Sequence, residues 1–436
     1  MSARHTQQSA SSAGQSTRRS FLSTMSAAAV GASVAGSLSV ARAAHAAGDD
    51  TIKVGLVGCG GRGSGAAADA LGADKNIALV AMGDAFADNL SKSLERIRKA
   101  AGDKVQVTPE RCFAGFDAYQ KVIDSDVDVV LLCTPPHFRP QHLKAAVEAN
   151  KHVFCEKPVA VDAPGVRSVL ETCELAKQKN LSIVSGLCYR YDLRKREVMK
   201  RVHDGAIGDI QSIHSTYLTG TLWHHGRKSD WSDMEWQVRN WLYFTWLSGD
   251  HNVEQHVHSL DKAAWAMQDE PPAACIGVGG REVRVQPQWG NIYDHFAITY
   301  EYKNGAKVFS YCRQMAGCEN DVNDELVGTK GRAQVMGHSV TAGDDRWRYR
   351  GRAPDMYQQE HNELMASIRS SQPINNGLYM CRSTMMAIMG RMAAYTGQRV
   401  TWEQAMGSQE RLGPDRYEWG PAPEPIVAVP GVTKVA

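Results

Sequence analysis

Ile52-Lys53-Val54-Gly55-Leu56-Val57-Gly58-Cys59-Gly60-Gly61-Arg62-Gly63 carries an apolar strand straight into a glycine-spaced turn, and the small residues Ser64–Leu71 continue it as a helix. Strand, turn and helix in that order form the cradle of a dinucleotide. Gly58 permits the tight turn, Gly60 lets a pyrophosphate approach the backbone, and Gly63 lets helix and strand pack closely. Gly61 and Arg62 complete the loop, and the helix N-terminus adds positive potential. About 20 residues further on, Asp84 follows the next strand, as an acid that accepts hydrogen bonds from both adenosine ribose hydroxyls should. It would repel a 2′-phosphate, and no arginine follows in Ala85-Phe86-Ala87, so NAD is favoured over NADP. Arg62 is the one residue that reads the other way.

Working outward, Lys151-His152-Val153-Phe154 is a further buried strand that ends in Cys155-Glu156-Lys157-Pro158. Proline stops the strand, and Lys157 is left at a carboxyl strand end, where ligands collect in open α/β sheets. Lys157 is read as the positive charge of a catalytic centre. Strands over Ile52–Val57, Ile77–Met82, Val127–Cys133, His152–Cys155 and Ser182–Leu187 alternate with helical stretches such as Gln141–Ala149 and Gly165–Gln178. That alternation predicts a doubly wound parallel sheet. After a helix over Leu193–Asp204 the pattern becomes period-two runs split by turns, Ile210–Thr219, Ala274–Val285, His295–Tyr302, Ala306–Gln314 and Glu325–Gly328. These predict a mostly antiparallel sheet, followed by helices over Tyr357–Ser370 and Leu378–Thr396. The predicted organisation is a leader over residues 1–46, a Rossmann domain over 47–190, an α+β domain over 191–412 and an extended Pro-rich tail over 413–436. A cleft between the two domains is where Lys157 should point.

The leader reads Ser16-Thr17-Arg18-Arg19-Ser20-Phe21-Leu22, then a small, weakly apolar run to Val40, then Ala44-His45-Ala46. This is a twin-arginine export signal, and it predicts a periplasmic or otherwise exported protein. The leader holds four arginines and no acid, so its removal takes the formal charge from +2 to −2. No basic stretch with interleaved aromatics suggests nucleic acid, and no later apolar run approaches a membrane span. Ten cysteines with no CxxC pair suggest no disulfide framework, and only Cys312 and Cys318 are spaced for a hairpin bridge.

In the second domain a helix over Val253–Met267 places Glu254, His258 and Asp261 on one face, beside a packing stripe of Val253, Val257, Leu260 and Ala264. The plain alternative is a satisfied core histidine with two solvated acids. His251, Glu254, His256 and His258 lack an HExxH or third-ligand pattern, so no metal is assigned. Trp223, Trp231, Trp236, Trp241 and Trp246 are half of the chain's ten tryptophans. Mixed with His224, His225, Arg227, Asp230 and Arg239, they suit a sugar ring, Trp241 foremost, and core or interface packing equally well.

With the export signal, the Gly58–Gly63 turn, Asp84, Thr134-Pro135-Pro136-His137 with His142, Cys155-Glu156-Lys157-Pro158 and Glu254–Asp261, the chain resembles the Gfo/Idh/MocA family of nicotinamide-dependent sugar oxidoreductases. Gly390–Gly397 and Val429-Pro430-Gly431 are similar to an exported subgroup of it. The resemblance implies a carbohydrate or polyol substrate and an active-site Lys157. It also implies an acid-x-x-x-His pair carried by Glu254 and His258, and a homo-oligomer formed through the open face of the second sheet. It adds Thr134, Pro135, His137, His142 and Glu156 to the cofactor side and Tyr189 and Arg190, with Trp241 and Asp261, to the substrate side. The family usually has Asp at the position of Glu254 and an Arg-Phe pair near Tyr189-Arg190-Tyr191, so the two departures fall on the substrate side.

The favoured mechanism has neutral His258 removing a hydroxyl proton, Glu254 orienting its ring and Lys157 stabilising the alkoxide, with the roles of Lys157 and His258 exchangeable. Two other classes stand beside it: a glycoside hydrolase or lyase that oxidises C3 transiently, and a non-catalytic sugar-binding protein. An exported enzyme has no maintained nicotinamide pool outside, which predicts a tightly held NAD and a closed redox cycle.

Overall fold

A computed structural model describes residues 50–434, so the expected export signal lies outside the described residues. Six parallel strands, β1 (Ile52–Val57), β2 (Ile77–Asp84), β3 (Cys112–Ala114), β4 (Val129–Leu132), β5 (His152–Cys155) and β6 (Ile183–Ser185), form one sheet. Their order is β3-β2-β1-β4-β5-β6, which is that of a doubly wound dinucleotide-binding sheet. Strands β2, β4 and β6 are buried along their whole length, the pattern of a sheet covered on both faces by helices. The helix Ala163–Gln178 starts where Asp162 caps it, its carboxylate accepting from Gly165 N, with proline inside the first turn.

The second sheet has nine strands: β7 (Ile210–Thr219), β8 (Ala274–Gly280), β9 (His295–Glu301), β10 (Lys307–Gln314), β11 (Asp321–Gly328), β12 (Arg332–Gln334), β13 (Ser339–Ala342), β14 (Asp345–Arg348) and β15 (Val400–Thr401). It is antiparallel except where β7 pairs with β10. Side chains alternate strictly along β9 and β10, so Phe296, Ile298, Tyr300, Val308 and Cys312 form a core with the helices Val257–Ala266 and Gly377–Thr396. On the other face Ile276, Val278 and Tyr311 are exposed.

The described residues from Thr51 onward form a single compact unit. The helix Gly377–Thr396 packs on both sheets, against β8 and β9 on one side and β6 and the helix Ala163–Gln178 on the other. The helix Met356–Arg369, late in the chain and inside the range expected for the second domain, returns to pack on the helix Gly61–Ala73 and on β5 and β6. Arg369 pairs with Asp74 there, and Gln358 Nε2 donates to Asp69 O. All ten cysteines are free thiols, with Cys312 buried and Cys318 exposed. Among the described residues no helix is long and apolar enough to cross a membrane.

Candidate active site

The glycine turn sits at the carboxyl end of β1. Gly58 has φ +96°, and a Cβ there would meet the Cys133 and Thr134 backbone at 2.5–2.7 Å. A Cβ on Gly63 would stand 1.9 Å from Gly58 O, so helix and turn touch only because it is glycine. At Gly60 and Gly61 a Cβ would meet nothing within 4 Å. The loop is thus closed where it packs and open where a phosphate would lie, a fit to a pyrophosphate.

An inner cavity begins at this turn, lined by Gly58, Gly60, Asp84, Thr134, Pro135 and His142 among others. Asp84 is buried; its Oδ2 accepts from Cys59 N at 2.6 Å and its Oδ1 from Phe86 N at 2.9 Å. Burial raises its pKa, and the two amides oppose the shift. A carboxylate has about four acceptor sites, so ribose hydroxyls still find partners there. His142 lies stacked on Tyr119, with ring centroids 4.1 Å apart. Burial pulls its pKa down to about 3, which keeps it neutral.

Beyond Gly60, Cys133 and Trp241 a wider outer cavity opens, and Gly61, Arg62, Gly63, Trp223, Trp231 and Glu254 reach it. Lys157 meets Glu254 at its edge, its Nζ donating to Glu254 O at 2.6 Å and to Glu254 Oε1 at 3.1 Å. Arg139, a residue the motifs did not single out, fixes this corner. Its buried guanidinium donates to the carbonyls of Thr134, Glu156 and Lys157, joining the ends of β4 and β5. An arginine inside His137-Phe138-Arg139-Pro140 was the available signal, and it could not be read without knowing which carbonyls would converge.

His258 lies edge-on to Tyr189, with ring centroids 5.3 Å apart. Lys262 and Lys195 stand 4.2 and 4.9 Å from the centre of the Tyr189 ring. Burial first, then the charges of Lys157 and Lys262, hold the His258 pKa well below its usual 6.5, and its Nδ1 is buried without a hydrogen-bond partner.

Several expected placements are corrected. The helix expected over Val253–Met267 is broken into His251–Glu254 and Val257–Ala266. His256 N reaches back five residues to His251 O, which adds a residue to the turn and takes His258 off the face of Glu254. Glu254 therefore holds Lys157 and does not orient His258. Arg190 and Asp261 are also not on the substrate side: they are buried against each other, with Nε–Oδ1 2.9 Å. Arg190 continues to Asp269 and Ser383 donates to Asp261, a closed structural ion pair.

On the cofactor side, the Arg62 guanidinium is taken by Glu156 and by Glu360 of the returning helix, and lies 4.7 Å from the centre of the Tyr357 ring. Opposite charge satisfies it there, so neither Arg62 nor Glu156 offers its charge to a phosphate. His137 is not among the residues lining the inner cavity; its ring packs on Trp246, and its Nε2 lies 2.8 Å from Tyr417 OH. The tryptophans divide between the two readings: Trp223, Trp231 and Trp241 line the cleft, whereas Trp246 is buried and Trp236 packs edge-on against Phe244. Among the described residues no group of His, Cys, Asp and Glu is arranged to hold a metal ion, and His251, His256 and Glu254 are drawn to Asp250, Ser310 and Lys157 respectively.

Residues 52–185 match the family model described as oxidoreductase family, NAD-binding Rossmann fold, and residues 196–334 match the GFO/IDH/MocA C-terminal domain. The chain is 24% identical over 345 residues to an inositol 2-dehydrogenase of Rhizobium meliloti, covering 75% of this chain and 93% of that one. It is 25% identical over 179 residues to a 2,7-anhydro-N-acetylneuraminate hydratase of Escherichia coli, where the match covers 41% of this chain and spans under half, 44%, of that relative. The scyllo-inositol dehydrogenase of Lactobacillus casei, solved with NAD(H) and scyllo-inositol, shares the fold at a TM-score of 0.62 and 20% identity, covering 81% of this chain and 99% of that one.

Proposed function

The chain belongs to the GFO/IDH/MocA oxidoreductase family and carries its NAD-binding Rossmann domain, and from that premise we propose that it oxidises a hydroxyl of a carbohydrate or polyol. The observation that carries this reading is the position of Lys157, brought by the end of β5 against Glu254, which itself lines the outer cavity beside the glycine turn. An ammonium has three hydrogens. Two go to Glu254, and the third is left for a substrate oxygen.

When bound, the nicotinamide supplies the two-electron acceptor for the carbinol carbon. The chain's own residues handle the proton and the charge. Lys157 stabilises the alkoxide as it forms, and its fixed position means no reorganisation is needed at that moment. His258 is held neutral, by burial first and then by the charges of Lys157 and Lys262, so its ring can accept the hydroxyl proton; the growing negative charge beside Lys157 offsets part of the penalty on protonating it. Trp223, Trp231 and Trp241 offer flat apolar faces to a sugar ring.

A second reading, transient oxidation with elimination or hydration, is supported by the hydratase relative and uses the same residues. Aglycone release from a glycoside panel without net change in cofactor redox state would select it.

The leader adds a constraint. An exported enzyme that lost its NAD after one turnover would stop, so the cofactor is retained and each cycle restores its redox state. The test is to purify the protein without added cofactor, denature it and assay the supernatant for nicotinamide. About one nicotinamide per chain is expected for 1:1 binding. Recovery well below that, with turnover that saturates in added NAD, returns the reading to an ordinary dissociable dehydrogenase.

A further inference from the structure

The C-terminal tail crosses the Rossmann domain at the Asp84 end of the inner cavity. Leu412 N donates to Asp162 Oδ2 at 2.9 Å, and Gly413, at φ +103°, lies against His137 and Trp246. Tyr417 then bonds His137 and packs on Phe138, ring centroids 5.3 Å apart. Trp419 lies 4.4 Å from the Phe116 ring and 5.2 Å from the Phe86 ring. Phe86, Phe116 and Phe138 are all walls of the inner cavity. Three aromatic walls are therefore pressed from outside by two aromatic residues of the tail.

Past Trp419 the tail is tied to the second domain through its carbonyls. Gly420 O accepts from Met234 N at 3.0 Å, Pro423 O from Gln237 Nε2 at 2.8 Å and Ala428 O from Tyr293 OH at 2.9 Å. The tail is anchored on both sides of Trp419, whereas Trp419 itself is 46% exposed and is held by ring contacts alone. An open hollow outside Phe86 is shared by Asp88, Gly115, Arg239 and Trp419, and the Arg239 guanidinium lies 3.8 Å from the centre of the Phe86 ring.

Asp84, the ribose partner, marks this end as the one that takes the adenosine half of the dinucleotide. We propose that the tail from Leu412 to Gly420 is a strap over the adenosine end of the cofactor site, with Trp419 as its closing residue, and that NAD leaves only when the strap lifts from Phe86 and Phe116. The inference rests on the reading of a retained cofactor and supplies the residue that retains it. A solvent-facing ring held by two aromatic contacts is suited to this task, since it closes the wall without committing the tail to the core.

The test measures release directly. Full-length protein preloaded with NADH is chased with excess NAD, and the loss of bound NADH fluorescence gives the release rate for wild type, Trp419→Ala and Trp419→Phe. Trp419→Ala should release about tenfold faster, the rate equivalent of one aromatic contact with its buried area. Trp419→Phe should stay near wild type. Tyr417→Phe, which removes the bond to His137, should accelerate release by less. Circular dichroism melts of the unloaded proteins report whether each variant is folded; if Trp419→Ala is not, the Tyr417→Phe rate carries the decision. Equal rates in wild type and the folded alanine variant overturn the strap and leave the retained cofactor standing. A wild type that releases within seconds overturns the retained cofactor, while the ratio of variant to wild-type rates still decides the strap.

Discussion

The two walls of the cleft were equally suggestive as sequence, yet they differ in how their motifs fold. On the Rossmann wall the glycine turn, Asp84 and Lys157 all stand at carboxyl strand ends, the first two lining the inner cavity and Lys157 held by Glu254 of the outer one. On the opposite wall Glu254, His258 and Asp261 were read as one helix face and Arg190 as a substrate-side residue, and they separate. Glu254 goes to Lys157, His258 to the Tyr189 edge, and Arg190 with Asp261 into the core. A motif whose meaning lies in backbone geometry survives folding intact; one whose meaning lies in side-chain spacing depends on a single helix staying regular.

If that contrast holds, the largest effect belongs to the shared corner. Lys157→Ala should lower kcat by about 10²–10³-fold, the cost of one preorganised charge contact, with NAD affinity nearly unchanged because the glycine turn is untouched. Turnover close to wild type would remove Lys157 from the chemistry. Next in size, Asp261→Asn should cost about 3 kcal/mol of stability in urea titrations, since it leaves the buried Arg190 short of a partner. The kcat/KM of the folded variant should stay within about twofold. A large fall in kcat/KM at unchanged stability would put Asp261 back on the substrate side.

A smaller effect is expected at Asp84. Asp84→Ala should narrow the preference for NAD over NADP by about tenfold, as charge-assisted bonds to the ribose are lost together with repulsion of the extra phosphate. An unchanged ratio of dissociation constants would show that another group reads the ribose.

The smallest change is predicted for His258. Its folded pKa is depressed, so the neutral ring persists as pH falls. The kcat/KM profile should therefore stay flat from pH 7.5 to about 6, the range above and through the unperturbed histidine pKa. An acid limb centred on that unperturbed value would mean a solvated ring. The sign for stability follows from the same depression: below the unfolded pKa the unfolded state takes a proton that the folded ring refuses. Each such histidine, including His142 and His256 at about 3, then costs about 1.4 kcal/mol per pH unit as pH falls toward its folded value.

The fold class and the cofactor were legible from local rules. Alternating apolar runs at βα spacing leave few topologies open, and a glycine between two backbones is required whatever surrounds it. Arg139 was not legible, because its function is to collect carbonyls from two strand ends that only the parallel sheet brings together. The pairing of Arg62 with Glu360 was equally hidden, since the two lie 298 residues apart and meet only because the helix Met356–Arg369 returns to the first sheet. The break at Gln255 and His256 was hidden for a further reason. Helical periodicity fits the whole segment Val253–Met267, and what competes with it is Gln255 accepting from Gln314 at 2.7 Å and His256 bonding Ser310.

The spacing of the strands and the chemistry of single residues were thus decided within the chain's own local sequence, where backbone sterics and hydrogen-bond reach extend only a few positions. Which carboxylate holds Lys157, which arginine is spent on structure and what covers the Asp84 end of the cavity were decided by long-range packing. Burial there forces each charge to find a partner, and the partner that wins is the one the fold brings near.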